Sequence, residues 1–532
     1  MHPSQSPQTY DAIVIGAGHN GLVNAAYLAK AGLKVLVLER RPVIGGASVT
    51  EEILPGFKFS VFSYVVSLLR PEIIRDLELP RHGLTILPLE STLTPLPDGN
   101  YLYRDADHYR TQREIARFSP RDADAYDDYA RTMYFMAKAV KYVLGIQPPE
   151  PTSLHPSDVS GLLNLARHFL KLPDDQLHTL VRLMSMSSAD FLERWFESEP
   201  LKGTLSASGI IGTFLGPRSP GTAYVLLHHY MGEIDGVFRS WGFARGGTGG
   251  IAQAIAQAAQ SFGVQIRTGA PVTQVIIKNG RATGVALESG EEIHARLVVS
   301  GLDPNLTFLR LVEPGVFSSD LIESVRKYVY RGSSGKVNLA LDRLPTLSSS
   351  PGDAAVLRGA ISISPSIEYI ERAYDQAKYG EFSRRPYIDI IIPSMIDPGM
   401  APPGKHVMSC FVQYAPYDLC GAGWDEQREA FGDTVVDTLS EYFPNIKDII
   451  LHRQVLTPLD IERTIGLTQG NIFQGELSLS QLFFLRPAPG YADYRTPLPG
   501  YYQCGSGTHP GGGITGAPGR LAALRILKDL KQ

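Results

Sequence analysis

Three glycines near the start of the chain have the spacing to hold a diphosphate. Gly16-Ala17-Gly18-His19-Asn20-Gly21 follows the strand formers Asp11-Ala12-Ile13-Val14-Ile15 and precedes helix formers from Leu22 to Ala31. Gly16 permits a tight turn, Gly18 lets a pyrophosphate approach the backbone, and Gly21 lets the helix pack closely on the strand. The helix N-terminus offers unpaired N–H groups to the anion. Gly32 stops the helix, and Lys34-Val35-Leu36-Val37-Leu38-Glu39 reads as a second strand. Glu39 ends it at the offset expected of a carboxylate that accepts from ribose hydroxyls. The order strand, glycine turn, helix, strand separates this segment from an ordinary glycine turn.

A second glycine pair extends the site. Arg40-Arg41-Pro42-Val43-Ile44-Gly45-Gly46-Ala47 follows Glu39 with a spacing that resembles the extension of FAD-binding flavoproteins. Another backbone segment could then close on the pyrophosphate and ribityl chain, so FAD is expected rather than NAD, with Arg40, Gly45, Gly46 and Ala47 beside it. Near the other end, Gly500–Cys504 reads as a short strand running into Gly505-Ser506-Gly507-Thr508-His509-Pro510-Gly511-Gly512-Gly513-Ile514, and an amphipathic helix follows from Leu521 to Leu530. Gly505, Gly507, Gly513 and Ile514 are the candidates to present backbone to a flavin. A plain linker seldom combines such a strand, a His-Pro and an amphipathic helix.

These stretches carry a family resemblance. GAGHNGLVNAAYLAKAGLKVLVLERRPVIGGAS and YQCGSGTHPGGGITGAPGR resemble the phytoene desaturase-like superfamily of FAD-dependent oxidoreductases, which includes carotenoid desaturases, carotenoid isomerases and cyanobacterial-type β-carotene ketolases. TEEILPGFKFSVFSYVVSLLRPEII, GGTGGIAQAIA, MAPPGKHV and TPLDIERTIGLTQGNIFQGELSLSQLFFLRP are similar to the pyridine nucleotide-disulphide oxidoreductase domain-containing protein 2 group, so the likeness covers nearly the whole chain. Taken literally that group name requires a second dinucleotide turn and a redox cysteine pair. Gly246–Gly250 follows a poor core strand, Arg239–Phe243, with no acidic residue at the right spacing, and reads as the turn that starts an Ile251–Phe262 helix.

The resemblance implies a FAD-dependent oxidoreductase acting on a hydrophobic, carotenoid or isoprenoid substrate by hydride transfer with flavin N5. A carotenoid ketolase or isomerase, an amine oxidase-like enzyme, and a non-catalytic flavoprotein that regulates or binds a membrane or partner stay open. It also implies that Val272 holds the adenine and that Gly246–Gly250 packs near the isoalloxazine or substrate mouth. A greasy substrate implies an exposed apolar surface on the helical part or around Phe59–Leu69 for peripheral membrane contact. His509, inside the second glycine turn, would tune the flavin or relay a proton, or else set turn geometry. Lys336, in Gly335-Lys336-Val337-Asn338, would stabilise reduced flavin if near it; the plainer reading is an exposed lysine at a strand end.

A chain that opens and closes with pieces of one site must fold its middle out and back. The expected class is α/β (α+β overall), a Rossmann-like FAD-binding domain (1–75, 245–312 and 490–532) interleaved with a β-sheet substrate domain (76–110 and 313–489) and a helical insert (111–244). Tyr129, Met133, Met136, Val140 and Leu144 recur at helical spacing in the insert, chiefly as core. Lys336–Leu341, Tyr387–Ile392 and His406–Gln413 read as strands of the substrate half.

The 532 residues are 43% hydrophobic and 20% charged, which excludes a disordered chain. A net charge of −4 with scattered Lys and Arg gives nucleic acid no basic stripe. Cys410, Cys420 and Cys504 fit neither a disulfide framework, zinc ligation nor a CxxC pair, so a reducing compartment is expected. His228-His229 lack metal-ligand spacing and read as structural; no metal is expected. Met1–Tyr10 is polar, without the apolar region of a secretory signal, which points to the cytoplasm with at most peripheral membrane contact.

Overall fold

The computed structural model describes residues 10–349 and 354–531. The leader reading of Met1–Tyr10 therefore lies outside the described residues, apart from Tyr10.

Two sheets organise the molecule. In the first, Gln265–Arg267, Val35–Leu38, Tyr10–Ile15 and Glu292–Ser300 run parallel in that order, and Tyr501–Gln503 adds a further parallel strand to Glu292–Ser300. Their apolar runs are continuous rather than alternating because helices and a second layer bury both faces; Ile13, level with Leu36 and Val298, is completely buried. An antiparallel meander, Val272–Lys278 and Arg281–Leu287, continues from the start of Glu292–Ser300. One sheet thus draws strands from the beginning, middle and end of the chain.

Three helices cover one face of this sheet: His19–Lys30, Gly249–Ser261 and Ala517–Asp529. Leu22, Ala25, Ala26 and Ala29 of the first are small or branched residues on the buried side, which lets the other two approach. The approach to the C-terminal helix is close enough that a Cβ on Gly519 would collide with the Asn20 carbonyl, and Asn24 Nδ2 donates to Gly519 O at 3.0 Å.

The second sheet runs Ile450–Leu456, Ser334–Leu341, His406–Gln413, Tyr387–Ile391, Ala360–Ile363, Ser91–Pro95, Tyr101–Asp105. It is antiparallel except where Ala360–Ile363 meets Ser91–Pro95. The helix Trp424–Tyr442 buries Trp424, Phe431, Val435 and Leu439 on one face. The other face packs on the hairpin Thr50–Leu54/Phe57–Ser60 and on Phe62 and Tyr64. Residues 57–66 therefore fill the seam between the sheets: Phe59, Val61, Phe62, Tyr64, Val66 and Leu69 are all buried. This corrects the expectation of an exposed apolar surface around Phe59–Leu69.

Helices from His108–Ala116 to Thr222–Tyr230 form a lobe with its own core, where Tyr129, Met133 and Met136 are completely buried. Its outermost helix, Pro156–Phe169, buries no residue, and Leu154, Leu163 and Leu170 are exposed there. Among the described residues, no helix is long and apolar enough to cross a membrane.

Gly519→Ala places a methyl where the N-terminal helix carbonyl already sits. It is expected to destabilise the chain by about 1–3 kcal/mol in denaturant unfolding, whereas an unchanged midpoint would show that the two helices are free to separate.

Candidate functional site

The strand Tyr10–Ile15 delivers the glycine turn into a crevice lined by Gly16, Gly18, Gly21, Glu39, Arg40, Gly45, Gly46, Ala47 and Val272. Gly21 must lack a side chain because its Cβ would overlap the Gly16 carbonyl, and Gly45 takes a φ of 116° that other residues rarely adopt. Gly18 and Gly45 pair as a short parallel bridge, bringing the two glycine turns together. Gly18 caps the helix with no side-chain bond, and the first turn carries no acidic residue, so its dipole end is left for an anion.

Glu39 is held rigidly at the crevice edge. Its Oε2 accepts from Ala17 N and its Oε1 from Arg41 N, both at 2.9 Å, and each oxygen keeps acceptor capacity for a ribose hydroxyl. Arg40 Nη2 donates to the carbonyls of Arg463 and Thr464 at 3.2 and 3.0 Å, tying this edge to the other half of the molecule.

The C-terminal glycine turn contributes Ser506, Gly513 and Ile514 to the cavity walls. Ser506 Oγ accepts from Asn20 Nδ2 at 2.9 Å, joining the two signatures directly. Gly505 and Gly507, expected to face the flavin, lie behind Ser506. A Cβ on Gly505 would press on Leu302 O and Gln474 Oε1, and one on Gly507 on Pro304, so these glycines serve close packing. Of the two readings of His509, the structure favours the part in turn geometry. It is 2% exposed, its Nε2 is bonded to Val143 O at 2.9 Å, and its ring packs edge-on against Phe483. Burial lowers its pKa to about 3. Neutral and lining neither cavity, it clamps the turn to the helical lobe instead of relaying protons.

Beyond the crevice an apolar chamber opens, walled by Phe62, Tyr64, Val66, Leu68, Ile211, Trp241, Phe411, Ile461 and Phe473. His19, Ala47, Ile465, Leu467, Ile472 and Ser506 border both spaces, so crevice and chamber share a wall. Gly246–Gly250 does not border them: Gly247 and Gly249 pack on Thr50, and Thr248 Oγ1 donates to Ser63 O, one layer behind.

Lys336 is the charged side chain of the chamber wall. It is 2% exposed, not the expected exposed lysine, because residues 60–64 cover its strand. Its Nζ donates to Ser60 O and Phe62 O at 3.3 and 3.1 Å and lies 4.8 Å from the Tyr64 ring centroid. Burial pushes the ammonium down to about 7. Two histidines also face the chamber, of which His229 was expected to be structural. His19 sits inside the glycine motif, with Nε2 buried and unpartnered and its pKa lowered by burial to about 4. His229 bonds Val225 O through Nδ1, stacks on Trp241 and is lowered by burial to about 4. The only signal for His19 was its place between Gly18 and Gly21; His229 was noticed only as half of an adjacent pair, which gave no sign of the chamber.

The residues fit a flavin dinucleotide on three counts: the uncapped helix end, the side-chain-free cradle, and the orphaned His19 Nε2 and Asn20 Oδ1 at its border. Fold and crevice together define a dinucleotide-binding flavoprotein. The family described as flavin containing amine oxidoreductase matches residues 21–527, and the chain belongs to it: it is a FAD-dependent oxidoreductase. It is 42% identical to rat pyridine nucleotide-disulfide oxidoreductase domain-containing protein 2, over 98% of this chain and 94% of the relative. It is 26% identical to a limonene dehydrogenase polypeptide of Castellaniella defragrans, over 98% and 95%. Among solved structures, wild-type putrescine oxidase bound to putrescine shares the fold, with a TM-score of 0.58 at 16% identity over 98% and 99% of the two chains.

Two outcomes follow from this geometry. Glu39→Ala removes a charged acceptor from the crevice and is expected to weaken FAD binding by about tenfold or more, measured by fluorescence titration of the apoprotein; undiminished affinity would remove Glu39 from the site. Lys336 binds a proton in the unfolded chain up to its ordinary pKa of 10.5 but in the folded chain only up to about 7. Its burial penalty is therefore full below pH 7 and relieved as pH rises toward 10.5. The stability of wild type relative to Lys336→Met should rise across that window in parallel denaturant titrations, and a flat difference would mean an unshifted amine.

Proposed function

We propose that this oxidoreductase dehydrogenates an apolar, isoprenoid-type substrate held in the chamber. The observation that carries the reading is the shared wall, which sets a water-poor space directly against the dinucleotide crevice. The crevice residues from Gly16 to Ala47, with Val272, would hold FAD, which when bound supplies the two-electron acceptor for a C–H bond. The chamber's side chains hold the substrate chain and exclude water.

Desaturation also releases a proton from the neighbouring carbon, and in this reading Lys336 would take it. A neutral lysine can give its two N–H groups to Ser60 O and Phe62 O and keep its lone pair, and burial makes that neutral form abundant near pH 7. The likeness to the limonene dehydrogenase polypeptide supports a terpenoid substrate. Leu154, Leu163 and Leu170 give the helical lobe an apolar exterior by which such a substrate would be collected from lipid.

The putrescine oxidase fold raises the amine reading. The chamber lends it no support: among the described residues its wall holds no carboxylate, so a substrate ammonium would meet no counter-ion.

The test is anaerobic bleaching of the flavin band. Limonene or a polyene extract presented in phospholipid vesicles is expected to bleach it, and Lys336→Met to slow bleaching about a hundredfold with the oxidised spectrum unchanged. The wild-type rate should climb with pH to a plateau above about 7, where the amine is unprotonated. Bleaching by putrescine and not by terpenoids would overturn the proposal.

A further inference from the structure

Beside the apolar chamber lies a second cavity of about 350 Å³ with a different character. Tyr64, Val65, Ile211 and Trp241 border both, and beyond them the wall turns polar and carries two arginines, Arg104 and Arg239. Arg104 projects from the edge strand Tyr101–Asp105 and is 8% exposed. Its Nη1 reaches the Tyr126 hydroxyl at 3.5 Å, and its Nε is buried without a partner. Arg239 comes from the loop after Val237–Phe238, where its backbone N donates to Gly232 O at 2.7 Å and its φ is 60°. Its Nη1 donates to the same Tyr126 hydroxyl at 3.1 Å, and its guanidinium lies 4.6 Å from the Tyr230 ring centroid.

Two guanidinium groups therefore converge on one phenol. Among the described residues neither forms an ion pair, although three carboxylates border the cavity. Asp105 is engaged by Arg110 at 3.2 Å, Glu90 faces Arg358 at 4.0 Å, and Asp389 accepts from the Tyr64 hydroxyl. Burial raises Asp389 to about 6, so near neutral pH it is a carboxylate, already held by the Tyr64 hydroxyl rather than by either arginine. Burial alone would raise the Tyr126 phenol; Arg239 and Arg104 outweigh it and bring it to about 8. Like charges brought together around one phenol, one of them on the buried Arg104, are costly unless an anion joins them. The planar fork of arginine matches a carboxylate, which two arginines can hold from two sides.

We propose that Arg104 and Arg239 clamp the carboxylate head of an amphipathic substrate whose apolar chain passes Tyr64 and Trp241 into the chamber. The preferred substrate is then an isoprenoid-like acid rather than a plain hydrocarbon. This rests on reading the chamber as the substrate site. It adds a specificity determinant that lies away from the reacting carbon, where binding energy orients the chain.

The test uses the full chain loaded with FAD and isothermal calorimetry with geranic acid, geraniol and geranyl phosphate, which share one chain and differ in the head. Geranate is expected to bind at least tenfold more tightly than geraniol, and Arg104→Gln and Arg239→Gln each to abolish that advantage, with geranate losing far more affinity than geraniol. Arg239 is only half-buried, so its variant carries the test if Arg104→Gln does not fold. Equal binding of geranate and geraniol, or an advantage that survives in Arg239→Gln, overturns the clamp. Tighter binding of geranyl phosphate than of geranate overturns the carboxylate assignment. Because calorimetry needs no turnover, arginine-dependent geranate binding without flavin bleaching upholds the clamp and counts against dehydrogenation alone.

Discussion

A guanidinium with no carboxylate partner among the described residues holds the two halves of the site in register. Arg486 is completely buried and donates to the carbonyls of Phe473, Gly475, Glu476, Gln481 and Ser506 at 2.9–3.2 Å. Burying an isolated cation costs several kcal/mol, and here carbonyl dipoles stand in for the lost water. Ser506 then meets Asn20 at the dinucleotide crevice, while Phe473 closes the apolar chamber. One side chain thus sets the distance between the cofactor's cradle and the substrate's space.

The seam built by residues 57–66 divides what Arg486 joins. On the dinucleotide side the groups are backbone N–H donors and Glu39, suited to phosphate and ribose. On the chamber side burial pushes His19, His229 and Lys336 toward neutrality, and all three lose affinity for protons. Charge reappears past Tyr64, where Arg104 and Arg239 converge. The molecule is a polar–apolar–polar series of compartments, and a ligand's position along it follows from where its own charges lie.

The first βαβ unit was legible in the sequence because everything that defines it is local. The apolar run, the glycine spacing and the carboxylate at the strand end lie close together along the chain, and each has one physical use. The far glycine turn was legible as a turn but not in its contacts. Gly505 and Gly507 are required by Leu302, Gln474 and Pro304, and the pattern of glycines cannot say whether a missing side chain makes room for a ligand or for the protein. Lys336 was misplaced for a related reason. Its strand could be read, but the segment that covers the strand comes from residues 60–64, and no local pattern records that coverage. Arg104 and Arg239 were invisible in the same way, since they are isolated in sequence and meet only through Tyr126.

The bond between Asn20 and Ser506 links residues 486 positions apart in the chain. At about 5–20 residues per second, a ribosome takes roughly half a minute to a minute and a half to make that stretch. Throughout that time the first glycine turn exists without its partner, and so do the apolar faces that the helix Ala517–Asp529 will cover. The nascent chain must therefore carry exposed hydrophobic surface until that helix has been made. Until then the dinucleotide crevice lacks the wall that Ser506 gives it, however much of the rest has folded.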